Sequence, residues 1–161
     1  MKVNEKLKPI QLGKFLPYQV NVLAHDISKK TGRAADQLGG LSLSQWRVLA
    51  ALAEVPGRTA NEVVSVTPTD KVIVSRAVKT LLEMGLVVRT ASQDDGRVSH
   101  LFLTEQGNVI YTKIAEAVLK IEAEMVAGIS AEDVKIFSRV LSILSTQISK
   151  IPPQQLSPNQ D

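Results

Sequence analysis

The chain has 161 residues, of which 44% are apolar, so its length suits a single domain with extensions and its composition suits a globular core. It contains no cysteine, which excludes disulfides, thiolate metal sites and a cysteine redox sensor. The formal net charge of +3 is mild for a nucleic-acid-binding protein, so the distribution of the cations matters more than their number.

Several broad classes are disfavoured by the absence of their motifs. The apolar runs are far shorter than a membrane span, and the start MKVNEKLKPI lacks the apolar core of a signal peptide, so we expect a cytoplasmic protein without a membrane partner. His25 and His100 are the only histidines, and no HExxH motif, glycine-rich phosphate loop or nucleophile elbow is present. We therefore expect neither an enzyme nor a cofactor or metal site.

Two helices are predicted in the first third of the chain. Residues 1–16 are predicted to form an extended arm or a short helix, after which Pro17 suits a first helical position. Apolar residues then recur at helical spacing until Gly39-Gly40, which predicts a helix from Pro17 to Leu38, with Gly32 leaving its middle uncertain. Ser42 and Gln45 have the spacing of a capping box and begin a second helix that ends near Val55.

A pair of short helices follows. Thr59 and Glu62 repeat the capping-box spacing and begin a third helix, which ends near Val66. After the turn at Thr67-Pro68, Asp70 is a predicted N-cap for a fourth helix spanning Lys71–Met84. Two short helices in which the second carries exposed cations are typical of a helix-turn-helix, although such pairs also occur as plain structure.

The fourth helix is predicted to be buried on one side only. Val74, Val78 and Leu81 recur at spacings of three and four, and the opposite side receives Thr69, Val72, Ile73, Arg76, Thr80 and Glu83. The outward Val72 and Ile73 are either ordinary exposed side chains or a surface that touches thymine methyl groups in a major groove. In the second interpretation Arg76 and Lys79 reach guanine edges or phosphates, and Lys71 meets a phosphate because a cation is otherwise disfavoured at a helix N-terminus.

A β-hairpin is predicted immediately after this helix. Two β-rich runs, residues 86–90 and 98–103, flank the turn-forming Asp95-Gly96 pair. Arg97 lies just past the turn, where it either enters a minor groove or forms a weak local ion pair in a solvated loop.

The C-terminal third is predicted to form two helices. Thr104 begins the first, in which Ile110, Ile114, Ala117, Ile121 and Met125 keep helical spacing up to Gly128. Ser130 and Asp133 begin the second, whose apolar stripe consists of Val134, Phe137, Leu141, Leu144 and Ile148. A long stripe beside a small domain has little core of its own chain to cover, so we expect it to pair with the same helices of a second copy.

The wing region carries a family resemblance. Asp95, Arg97, Leu101, Leu103 and Thr104 match the Asp-x-Arg and Leu-x-Leu-Thr wing pattern, and the chain resembles the MarR family of winged helix-turn-helix transcriptional regulators from residue 16 to residue 107. The resemblance implies that Arg97 enters the minor groove, that Asp95 helps to hold it, and that residues 71–79 face the major groove. The DNA-binding residues expected on this basis are Thr67, Thr69, Lys71, Ile73, Arg76, Lys79, Asp95 and Arg97. The chain departs from the family pattern at Ile73, where threonine is frequent, and at Gly96, where a second wing arginine is common.

The expected fold is mainly α with a small β-hairpin wing. We predict an N-terminal arm and helix for dimerisation (residues 1–40), a winged helix-turn-helix DNA-binding domain (41–104), C-terminal dimerisation helices (105–151) and a flexible tail (152–161). The resemblance implies a homodimeric, sequence-specific regulator of double-stranded DNA with a pseudo-palindromic operator, a repressor released by a small-molecule effector.

The effector and one alternative function stay open from the sequence. In similar regulators the effector is often a small aromatic acid, for which His25, Trp46 and Arg47 are the first residues to consider, although Trp46 also suits core packing and His25 a polar face without a role. The alternative is a winged-helix adaptor that contacts protein through Val72 and Ile73 without binding DNA.

Overall fold

The computed structural model describes residues 9–91 and 98–152. After a 3-10 turn at Leu12–Lys14, the elements are α1 (Leu16–Gly39), α2 (Leu43–Glu54), α3 (Ala60–Val66), α4 (Lys71–Glu83), β1 (Val87–Ala91), β2 (Ser99–Leu103), α5 (Glu105–Met125) and α6 (Ala131–Ile148). The two strands form an antiparallel pair in which Val87 lies opposite Leu103 and Ala91 opposite Ser99. The predicted fold class, mainly α with a hairpin, is confirmed, and α1 continues through Gly32.

The helix starts are fixed by side chains that satisfy free backbone N–H groups. Capping boxes form at Ser42 with Gln45 and at Thr59 with Glu62, as their spacing predicts. Asp70 begins α4 by accepting a hydrogen bond of 2.9 Å from the Ile73 N–H. The predicted boundaries of α2, α3 and α4 are therefore correct to within about two residues.

The chain divides into two compact units, Met1–Ile121 and Glu122–Asp161. The core of the first unit is built from α2 and α4, with contributions from the elements around them; its buried side chains are Ala35, Leu41, Trp46, Val48, Leu49, Ala51, Leu52, Val63, Val74, Ala77, Val78, Leu81, Leu86, Val87, Leu101 and Ile114. The Trp46 ring stacks on that of Tyr111 with centroids 5.6 Å apart, which confirms Trp46 as a packing residue. Burying each large aliphatic side chain contributes about 1.5–3 kcal/mol, so this core stabilises the orientation of α4.

The start of α5 is packed tightly against the end of the α4–β1 connection. The Thr104 N–H donates to the Leu86 carbonyl at 3.0 Å, while the Thr104 hydroxyl donates to the Gly85 carbonyl at 2.8 Å and accepts from the Gly107 N–H at 2.9 Å. A Cβ added at Gly107 would overlap the Leu86 carbonyl oxygen, so only glycine permits this approach of the two backbones.

The second unit contains the last residues of α5 and all of α6. No side chain of α6 is buried, and the predicted stripe residues Phe137, Leu141, Leu144 and Ile148 are exposed. The apolar surface is wider than the predicted stripe, because Ile136, Val140 and Ile143 are exposed as well and lie beside it at 100° per residue. Within the described residues, this apolar surface of α6 is exposed and therefore accessible for packing. Among the described residues, no helix is both long and apolar enough to cross a membrane.

Candidate nucleic-acid interface

The two sides of α4 have opposite character. Val74, Ala77, Val78 and Leu81 are buried against the core, whereas Lys71, Val72, Ile73, Arg76 and Lys79 are exposed. The predicted assignment of Val72, Ile73 and Arg76 to the outward side is confirmed. Because the helix is held by its buried side, the outward side presents a fixed surface that combines three cations with two apolar side chains.

The cations of this surface are available to a partner. Lys79 lies 3.8 Å from Glu83 in an exposed i,i+4 pair, which holds neither side chain firmly. Within residues 9–91 and 98–152, Lys71 and Arg76 form no salt bridge. An anionic partner would therefore replace only one weak interaction.

The side chain of Thr69 differs from its predicted outward position, and that of Thr67 is hydrogen-bonded within the chain. The Thr67 hydroxyl donates to the Val63 carbonyl at 2.8 Å, and the Thr69 hydroxyl oxygen is buried without a hydrogen-bond partner in the described structure. The reason is local: both residues precede α4, so the angular period of the helix does not apply to them. The assignment of both residues to DNA binding stays a prediction.

The wing is attached to the α2–α3 loop by backbone hydrogen bonds. The Gly57 N–H donates to the Leu101 carbonyl and the Leu101 N–H to the Arg58 carbonyl, both at 3.0 Å, and His100 Nδ1 lies 2.8 Å from the Gly57 carbonyl oxygen. The Arg58 guanidinium donates to the Ala51 carbonyl at 2.6 Å and lies 2.7 Å from the Glu54 carboxylate. These contacts hold the base of the hairpin in a fixed position relative to α2.

Gly57 takes part in this attachment, and Glu62 caps the neighbouring helix α3. Gly57 has φ +85°, a backbone conformation that favours glycine, and an added Cβ would lie 3.2 Å from the Phe102 ring, which would have to shift by a few tenths of an ångström. The pKa of Glu62 is lowered from 4.5, chiefly because its carboxylate accepts a hydrogen bond from the Thr59 N–H, then through the Thr59 hydroxyl, with smaller electrostatic contributions from His100 and Arg58.

The tip of the wing, with Asp95, Gly96 and Arg97, lies outside the described residues. The described part of the hairpin adds a cation that was not predicted, Arg89, which is exposed on β1. Arg89 lines a cleft of about 340 Å³ with Thr59, Asn61 and Ser99. The sequence did contain a signal for Arg89, because it is a charged residue within a β-rich run. In such a strand, a charged side chain points away from the core.

The three residues considered for an effector have different environments. Trp46 is buried in its stack with Tyr111, whereas His25 lies on the exposed side of α1. Arg47 is half-buried, donates to the Ser28 hydroxyl at 3.3 Å, and lines an open cleft of about 410 Å³ between the starts of α2 and α4. The described parts of the chain contain no group of three or more His, Asp or Glu residues that could hold a metal ion.

A helix-turn-helix followed directly by a hairpin, with cations on the outward side of its second helix, defines a winged helix-turn-helix DNA-binding protein. Residues 39–98 match the model of the MarR family. The chain is 31% identical over 136 residues to YwoH, an uncharacterised HTH-type transcriptional regulator of Bacillus subtilis (strain 168), covering 84% of this chain and 98% of that protein. The chain belongs to the MarR family of transcriptional regulators.

Solved structures share the fold. A MarR-family regulator from Listeria monocytogenes, complexed with a 26mer DNA, has a TM-score of 0.77 and 21% identity, covering 88% of this chain and 90% of that one. PcaV from Streptomyces coelicolor, in complex with its natural ligand, has a TM-score of 0.72 and 18% identity, covering 87% and 98%. The relatives are transcriptional regulators rather than enzymes, in agreement with the sequence-based expectation.

Proposed function

We propose that this regulator binds a pseudo-palindromic double-stranded DNA operator as a homodimer, represses transcription there, and is released by a small-molecule effector. The observation that carries the proposal is the division of α4 into a buried side and an exposed side with Lys71, Ile73, Arg76 and Lys79. A helix supported in this way can enter a major groove without distortion of the domain.

The residues of α4 have different roles in this proposal. Arg76 lies near the middle of the outward side and reaches base edges, with guanine as its preferred partner. Lys71 lies in the first turn, where the helix dipole disfavours a cation and a phosphate partner would compensate. Lys79 contacts a phosphate, and its weak pairing with Glu83 is lost on binding. Thr67 and Thr69 shape the turn before α4 and contribute through the backbone rather than through their hydroxyls.

The wing supplies a second contact in the minor groove. We assign Arg97 to that groove and Asp95 to holding Arg97 in position, on the basis of the family pattern. Arg89, exposed at the base of the same hairpin, adds positive charge toward the DNA backbone. The attachment of β2 to Gly57 and Arg58 supports this role because it limits the movement of the wing relative to α2.

Dimerisation is assigned to residues 1–40 and 105–151, DNA binding to residues 41–104, and a tail to residues 152–161. The exposed apolar surface of α6 supports this division, because a second copy would remove it from water. A two-fold dimer places two copies of α4 about 34 Å apart, one helical turn of DNA, and the operator is then a near-palindrome.

Effector control follows if a ligand binds the two arrangements of the dimer with different affinity. The complex of PcaV with its natural ligand supports a small-molecule effector, and the complex of the Listeria regulator with DNA supports the mode of DNA binding. We assign the effector to the class of small aromatic acids. The half-buried Arg47 is a suitable partner for its carboxylate because guanidinium and carboxylate groups match in geometry.

The decisive experiment is selection of bound sites from random double-stranded DNA, followed by a salt titration on the selected site. We expect a two-fold symmetric consensus and an affinity that falls steeply with added salt, because each phosphate contact releases counterions. Failure to enrich any sequence, together with salt-independent binding to a protein partner, would favour the adaptor function through the exposed Val72 and Ile73.

A further inference from the structure

The first turn of α4 exposes two branched apolar side chains side by side. Val72 is 59% exposed and Ile73 is 43% exposed, although the core side of the same helix is fully packed. Lys71 precedes them, and Arg76 and Lys79 follow on the same outward side. The apolar pair therefore lies within a positively charged surface, where a contact with a polyanion brings both side chains against it.

The stereochemistry of these residues suits recognition of a small apolar group. Val and Ile are branched at Cβ and hold one preferred χ1 rotamer in a helix, so they lose little rotamer entropy when a partner docks. They offer neither donor nor acceptor, and thus cannot distinguish the hydrogen-bonding edges of bases. The apolar group that a base pair presents in the major groove is the C5-methyl group of thymine.

The Asp70 carboxylate restricts what can approach this turn. It already accepts the hydrogen bond from the Ile73 N–H at 2.9 Å, so the first turn of α4 is capped from within the chain. Val72 and Ile73 have no group that pairs with a phosphate, so the phosphate contact of this turn belongs to Lys71. Base edges are the part of DNA that fits against the two apolar side chains.

We propose that Val72 and Ile73 read C5-methyl groups of pyrimidines in the operator half-site. This inference rests on the proposed DNA-binding function. It specifies the chemical group that the first turn of α4 recognises in DNA. 5-Methylcytosine carries a methyl group at the same ring position as thymine and projects it into the same groove. The two side chains therefore respond to cytosine methylation at these operator positions as they respond to thymine.

The test uses the full-length protein and the operator obtained by selection, with deoxyuridine replacing thymidine at one half-site position at a time. The replacement keeps base pairing and removes only the methyl group. We expect about a fourfold loss of affinity at one or two positions in each half-site, the effect of withdrawing one buried methyl group. When the same position carries cytosine instead of thymidine, an operator with 5-methylcytosine there should bind about fourfold more tightly than an operator with unmethylated cytosine.

Variants connect this effect to the two side chains. The quantity to compare is the affinity for operator with thymidine at one position divided by the affinity for operator with deoxyuridine there. In Val72→Ala and Ile73→Ala this ratio should fall toward one at the position that the replaced residue reads. Val72→Thr, which exchanges a methyl group for a hydroxyl of similar size, should reduce the same ratio without shortening the side chain. The matched control is Val109→Ala on α5, since Val109 is 50% exposed and its loss should leave the ratio unchanged.

The outcomes separate this inference from the proposed function. One outcome is a selected, specific operator that binds equally well with thymidine or with deoxyuridine at every position. This outcome would overturn methyl reading but not the proposed function. A ratio that persists in both alanine variants would also overturn it, because another part of the protein would then contact the methyl group. Absence of any sequence-selective DNA binding would overturn the proposed function together with this inference.

Discussion

Helices α4 and α6 carry apolar patterns of similar regularity, yet their apolar sides have different surroundings. Val74, Val78 and Leu81 of α4 are buried within the chain, whereas Phe137 and Leu141 of α6 are exposed. The difference shows that helical periodicity identifies an apolar surface but not the molecule that covers it. In α4 the buried side holds the helix in place and leaves a charged side exposed, whereas in α6 the exposed apolar side is the surface that we propose pairs with a second copy.

The largest expected effect comes from placing a charge in the exposed apolar surface of α6. Leu141→Asp should dissociate the proposed dimer, because an unpaired charge buried in an interface costs about 3–5 kcal/mol. Analytical ultracentrifugation is the measurement, and Thr146→Asp on the polar side of the same helix is the control. A Leu141→Asp variant that sediments as a dimer with normal thermal stability would contradict the assignment of this interface.

The second prediction concerns the buried side of α4. Leu81 is 0% exposed, so Leu81→Ala should lower the free energy of unfolding by about 2–5 kcal/mol through lost burial and the cavity that remains. Urea denaturation measures the change, and Val72→Ala on the exposed side should alter stability by less than about 0.5 kcal/mol. Equal losses in the two variants would mean that the two sides of α4 do not differ as described.

The third prediction uses the outward side of α4. Arg76→Ala should weaken operator binding by about 1–3 kcal/mol and relax sequence discrimination, because a bidentate contact to a base is lost. Fluorescence anisotropy with operator and unrelated DNA measures both effects, and Arg139→Ala, an exposed arginine of α6, should bind as the unchanged protein does. An equal loss on all DNA sequences would reduce Arg76 to a phosphate contact.

The smallest expected effect is a pH dependence at the start of α3. Because the pKa of Glu62 is lowered from 4.5 in the folded chain, its charged form contributes stability above about pH 4.5, and this contribution is lost as the pH falls through the lower folded value. Glu62→Gln keeps a hydrogen-bond acceptor without the charge. Its midpoint of thermal unfolding should be lower than that of the unchanged protein at pH 7, and the two midpoints should converge once the pH lies below the lowered pKa of Glu62; a constant difference would exclude the linkage.

Capping signatures made the helix boundaries predictable from the sequence. Ser42 with Gln45, Thr59 with Glu62, and Asp70 each bind backbone N–H groups within three residues, so the residues that cause the structure are adjacent in the chain. The outward positions of Val72, Ile73 and Arg76 followed from the helical period for the same reason.

The missed features depend on contacts between distant residues or on backbone groups. Gly57 and Arg58 pair with Leu101 through backbone N–H and carbonyl groups, which all residues except proline carry, so this pairing leaves no pattern in the side chains. Ala77 joins the core without standing out, because alanine occurs on both sides of helices. The buried Thr69 hydroxyl could not be predicted from an angular period, since Thr69 precedes the helix.

The contact between Gly107 and the Leu86 carbonyl has a mechanical consequence. The Thr104 hydroxyl bonds to both Gly85 and Gly107, and the Gly107 backbone lies against the Leu86 carbonyl, so we expect the first turn of α5 to move together with the segment that follows α4. A rotation of α5 would then be transmitted to α4, the helix that we propose faces DNA, and a bulkier residue at position 107 would push these two segments apart.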